Sequence, residues 1–174
     1  MKITRNTQKL AVAGLLVAVG VLMSAFSIPV GIARVFPVQH MVNVIAGVMF
    51  GPFYAVIMAF CTSVIRNIMG TGTLLAFPGS MFGALLAGLA AKMFRGRLLP
   101  ACAGELVGTG VFGAIVAYPV AAFILGRDAA IFTFVIPFTL SSVAGATLAL
   151  AFLIVLSRTP VNNWYRNILK GEVS

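Results

Sequence analysis

Acidic side chains are almost missing from this sequence. The chain holds three Asp and Glu in 174 residues, one histidine and two cysteines. Each shortage removes a class of function. Neither His40, the cysteines nor the carboxylates are spaced as metal ligands, so no metal centre is expected. A serine or threonine nucleophile would need a partner base, and only His40 could serve. The set for an enzyme is therefore lacking. Gly70-Thr71-Gly72-Thr73 has no Lys-Ser/Thr pair, so it is not a phosphate loop, and the chain carries no ATP motif. No cofactor is expected. Cys61 and Cys102 lie inside apolar runs and read as small buried hydrophobes. Charge of either sign is scarce: 9% of residues, against about a quarter in a soluble domain. The net charge of +9 is scattered over termini and loops and forms no patch for nucleic acid. It suits topology signals and contacts to anionic membrane lipid.

What is present is apolar. Hydrophobic residues make up 61% of the chain and mean hydropathy is +1.10. The expected fold class is an all-α integral membrane protein, one membrane domain over 1–174. It divides into a basic N-terminus (1–9), a bundle of six transmembrane helices (10–157) and a tail (158–174). Basic residues followed by Leu10 to Ser27 mimic a signal peptide. No clear cleavage site precedes Pro29, so this run is expected to stay as the first helix. One of its faces carries Ala11, Gly14, Ala18 and Ala25, which would serve either close approach of a partner helix or ordinary internal packing.

Ile28 to Pro37 reads as a loop. Val38 to Met69, at roughly 48 Å as one helix, is too long for a single crossing of a ~30 Å core. Gly51-Pro52 splits it into a tight hairpin of two short arms, Val38 to Phe50 and Phe53 to Met69. The fourth helix is expected over Ser80 to Phe94, with Gly79, Gly83, Ala87 and Ala91 as a stripe of small residues. Leu98 to Gly126 and Ala130 to Ser157 complete the six. The tail pairs Trp164 with Ile168 and Tyr165 with Leu169, an interfacial amphipathic pattern.

Six crossings put both termini and the loop at Lys92 to Arg97 on one side, with nine of the twelve Lys and Arg. That side is cytoplasmic by the positive-inside rule, in the plasma membrane. The polar set Gln39, His40, Asn43, Arg66, Asn67 and Ser80 then falls at the outer end. The densest cluster of polar groups and backbone breakers, Arg66 to Ser80, reads as one wall of a small-molecule site. Polar and irregular segments at membrane depth are tolerated only where they face protein or a wet cavity. Candidate ligand contacts are Arg66, Asn67 and Asn43 as donors, Phe77 for stacking, with Ser80 and His40. Arg66 could equally be a strut that holds the loop shut. Glu105, well inside an apolar run, could carry a proton, pair with a cation, or lock two helices.

Several stretches together resemble a known family. They are Gln39-His40-Met41-Val42-Asn43 with Ala46-Gly47, Gly51-Pro52, and Arg66-Asn67 leading to Gly70-Thr71-Gly72-Thr73. Ala76-Phe77-Pro78-Gly79-Ser80 with Gly83, and Gly104-Glu105 with Gly108-Thr109-Gly110, complete the set. Over roughly Leu10 to Leu156 the chain resembles ThiW, the substrate-binding S component of an energy-coupling-factor (ECF) vitamin transporter. The resemblance implies an S-component bundle of six helices and a site near the outer face. It also implies docking onto a transmembrane coupling subunit driven by two ATPase subunits. The implied cargo is hydroxyethylthiazole, the thiazole precursor of thiamin. Ala11, Gly14 and Ala18 would then form the face for the coupling subunit. Rival readings are an S component for another vitamin, a membrane enzyme, and a stand-alone transporter. The last has only a faint likeness of Phe50-Gly51 to Phe112-Gly113 as support.

Overall fold

The computed structural model of the chain describes residues 5–30, 33–128 and 130–159. It is built from six helical rods. They are α1 (Arg5–Leu22), α2 (Pro37–Phe50), α3 (Pro52–Ile68), α4 (Ala76–Met93), α5 (Leu98–Ile124) and α6 (Val135–Ser157). The amphipathic tail expected after Pro160 lies outside the described residues.

The expected hairpin of short helices forms as its turn residues dictate. Pro37 and Pro52 open α2 and α3, where a missing N–H costs nothing, and Gly51 between them takes φ +83°. With 14 and 17 residues, α2 and α3 are roughly 21 and 26 Å long, shorter than a ~30 Å hydrocarbon core. The other four rods are long and apolar enough to cross a membrane. The chain is thus helical throughout its core, with four candidate spans among six rods.

α4 is the central rod and packs on α2, α3 and α5. Small residues on several of its faces allow this. A Cβ on Gly47 of α2 would fall 2.8 Å from the Gly88 backbone N, and one on Gly113 of α5 would fall 2.8 Å from Pro78 O. α2 meets α6 in the same manner, where a Cβ on Gly145 would fall 2.5 Å from His40 Cβ. Close backbone approach is how helices associate where lipid removes the hydrophobic drive between them.

Four local features differ from the sequence reading. Ile28 to Pro37 is not simply a loop: β1 (Ile28–Val30) and β2 (Ala33–Val35) pair antiparallel, Ile28 opposite Val35. α4 starts at Ala76, four residues before Ser80, because Pro78 sits in its first turn, where no intrahelical N–H is needed. α6 starts at Val135, after a turn over 131–134. α5 widens into π turns at Gly108–Gly113 and again just after Pro119, at Val120–Ile124. The first of these carries Thr109 and lies against α4 and α6.

Candidate functional site: a polar cavity at one end of the bundle

The loops joining α1 to α2, α3 to α4 and α5 to α6 meet at the same end. There they and the adjoining helix ends enclose a cavity of about 360 Å³. Its wall includes Arg66 from the last turn of α3, Gly70 to Thr73 from the following loop, and Ala76, Gly79 and Ser80 from the start of α4. Gln39 and His40 come from the first turns of α2, Phe36 from just before it, and Phe138 and Ser141 from α6. The stretch expected to form one wall does so, and the helix starts opposite supply the rest.

Arg66 is 1% exposed. Its Nη1 donates to Gln39 Oε1 at 3.2 Å, and the guanidinium carbon lies 3.9 Å from the centroid of the Phe36 ring. Nε and Nη2 have no hydrogen-bond partner among the described residues. A buried cation facing a polar cavity with two donors unused is poised for an acceptor that enters it. Thr71 N and Gly72 N both donate to Arg66 O at 3.0 Å; these two bonds hold the loop through the backbone and leave the side chain for the cavity.

Behind the wall a second layer of polar groups holds the first. Glu105 is fully buried, and its Oε1 lies 2.6 Å from His40 Nδ1, 2.9 Å from Thr109 Oγ1 and 3.3 Å from Asn43 Nδ2. Asn43 Nδ2 also donates to Ser80 O at 3.1 Å, and Gln39 Nε2 donates to Asn43 Oδ1 at 3.4 Å. The chain of contacts therefore runs from Arg66 through Gln39 and Asn43 to Glu105 and His40. Gly83 makes room for it: a Cβ there would fall 2.5 Å from Glu105 Oε2. Glu105 thus contacts His40 at hydrogen-bond distance and ties α5 to α2, the helix lock among the roles left open by the sequence.

The six candidate ligand residues separate into three groups. Arg66, His40 and Ser80 line the cavity. Asn43 and Asn67 do not; Asn43 belongs to the layer behind, and Asn67 Nδ2 donates to Ser63 O at 2.8 Å and Thr73 O at 3.1 Å, which pins the loop. Phe77 points elsewhere. Its ring packs against Phe60 at 5.6 Å and lines an apolar groove with Met81 and Val116. The early start of α4 is the reason: once Ala76, Gly79 and Ser80 face the cavity, helical periodicity turns Phe77 away with Met81. Phe36 and Phe138 are the aromatics of the cavity, and neither was singled out from sequence. Arg34, in the segment before α2, and Arg127, just after α5, line it as well.

Apolar helices packed through glycines around a polar cavity at one end define a multi-pass membrane protein that takes a small-molecule ligand. The chain belongs to the ThiW family: the family model described as "Thiamine-precursor transporter protein (ThiW)" matches residues 10–159. No curated protein and no solved structure matches it. Membership makes this a transport protein.

Proposed function

We propose that this chain is the substrate-binding S component of an ECF importer in the plasma membrane, and that its cargo is hydroxyethylthiazole. The observation that carries the reading is the cavity of about 360 Å³ with two unused Arg66 donors, in a chain of a thiamin-precursor transport family. Its volume is near the lower end of the roughly 300–1,000 Å³ usual for small-molecule sites, which suits a single small heteroaromatic ring. The ring stacks between Phe138 and the polar wall, in the role first given to Phe77, and the hydroxyethyl arm accepts from Arg66, with Ser80 and His40 beside it. Asn43 and Asn67 act on the ligand indirectly, by holding the Ser80 backbone and the Gly70 loop.

All six rods are embedded, α2 and α3 with local thinning of the bilayer, and both termini are cytoplasmic. The cavity then opens outward. Energy comes from a transmembrane coupling subunit and two ATPase subunits. Ala11, Gly14 and Ala18 form the docking face, a reading supported by their exposure: a Cβ on Gly14 would meet nothing within 4 Å. The inward side of α1 uses other residues, Ala13, Gly20 and Val21.

The test is calorimetry on the purified chain in nanodiscs, with uptake measured in cells that have or lack the coupling and ATPase subunits. Binding of hydroxyethylthiazole by the isolated chain, with uptake only in the full complex, is expected. Uptake by the chain alone would make it a stand-alone transporter. Absence of thiazole binding alongside binding of another vitamin would reassign the cargo.

A further inference from the structure

Twelve Lys and Arg occur in the chain, and nine fall in the first nine residues, in 92–97 around the turn from α4 to α5, or after α6. The remaining three are Arg34, Arg66 and Arg127, from three different parts of the sequence, and all three line the one cavity. Among the described residues no carboxylate lines it. Asp128 forms no ion pair with its neighbour Arg127, and Arg34 contacts only the Ser27 hydroxyl, at 3.4 Å, among the described residues. Glu105 is held behind the wall by His40, Asn43 and Thr109. Even if its full negative charge is set against the arginines, the lining stays positive.

A neutral alcohol uses only part of this arrangement. One donor would satisfy its hydroxyl, and three like charges around a small cavity repel one another. An oxyanion relieves that repulsion and suits the planar guanidinium fork, which binds phosphate or carboxylate through two parallel N–H bonds. Arg66 is the buried member, with Nε and Nη2 unpartnered among the described residues. Arg34 and Arg127 are exposed and act at the mouth, where their contribution is screened by salt. Ser141 Oγ accepts from Phe36 N at 3.0 Å, which leaves its own proton for the same ligand.

We propose that the cavity takes an oxyanion-bearing ligand, a phosphate monoester or carboxylate on a small ring, in preference to the neutral alcohol. Arg66 grips the anion, and Arg34 and Arg127 draw it in. This rests on the proposed small-ring cargo for the body of the ligand, but not for its charge.

Two matched pairs separate the questions: hydroxyethylthiazole against its phosphate ester, and 2-phenylethanol against its phosphate ester. Binding of each to the full chain in phosphatidylcholine nanodiscs is measured by calorimetry at low and high salt. The expected result is at least tenfold tighter binding of the ester in both pairs, with the margin shrinking as salt rises. Arg66→Gln should remove the preference. Arg34→Gln and Arg127→Gln, at exposed positions where folding is not at stake, should each weaken ester binding two- to fivefold and flatten its salt dependence. A thiazole alcohol that binds as tightly as its ester overturns the anion preference and leaves the thiazole cargo standing. If neither thiazole compound binds but phenylethyl phosphate does, the cargo reading fails and the anion preference holds. A lipid phosphate as the true occupant would appear as loss of ester binding in phosphatidylglycerol discs alone, and would overturn the proposal for a soluble ligand.

Discussion

Sixty-five positions separate His40 from Glu105, yet His40 Nδ1 and Glu105 Oε1 lie 2.6 Å apart with both side chains buried. His40 also faces the cavity, so the pair connects the lining to the packing of α5 on α2. Breaking a buried pair on one side leaves an uncompensated polar group. Glu105→Ala should therefore cost about 3–5 kcal/mol, and Glu105→Gln, which keeps an acceptor for His40, only about 1–3 kcal/mol. Denaturant unfolding in micelles measures both. In a double-mutant cycle, His40→Ala with Glu105→Ala should lose less than the singles combined; strict additivity would mean that the two residues are not coupled.

Gly83 and Gly14 offer a contrast that reads packing directly. A Cβ on Gly83 would sit 2.5 Å from Glu105 Oε2, whereas one on Gly14 would meet nothing within 4 Å. Gly83→Ala should destabilise by about 1–3 kcal/mol through overpacking and weaken ligand binding, because Glu105 and then His40 must shift. Gly14→Ala should stay within about 0.5 kcal/mol of the parent. Thermal unfolding in detergent ranks the two, and equal melting temperatures would remove Gly83 from the support of the network.

The exposed face of α1 can be tested for docking without harm to the bundle. Gly14→Leu with Ala18→Leu adds bulk only on the outer side of the helix. Ligand binding should be unchanged, and ATP-dependent uptake should fall at least tenfold. Uptake that persists at the parental rate would mean the coupling subunit binds elsewhere.

Orientation is open to labelling with an impermeant thiol reagent, in a background with Cys61 and Cys102 replaced. A cysteine at exposed Thr73, beside the cavity, should react in intact cells. One at exposed Arg97, in the loop between α4 and α5, should react only after lysis. The reverse pattern would invert the topology and put the cavity on the cytoplasmic side.

Much of the fold was legible from composition and breakers alone. An apolar chain with few charges must satisfy its backbone internally, so helices follow, and Gly51-Pro52 marks the short hairpin through local φ preferences that need no tertiary contact. The polar wall at Arg66 to Ser80 could be read for the same reason: polar groups among apolar residues must gather somewhere. Which face each residue took was decided by packing. Phe77 and Ser80 are three residues apart, and only the start of α4 at Ala76 determines that Ser80 turns inward and Phe77 outward. Nothing local to Arg34 or Arg127 tells that they line the same cavity as Arg66; that needs α2, α3 and α5 docked on α4, and α6 on α2 and α5. The same holds for Glu105, whose partner could not be named until Gly83 and Gly145 let the helices close on His40. Sequence decides locally what must be helix and what must be buried, whereas the pairing of distant polar groups is a property of close-packed backbones that exists only in three dimensions.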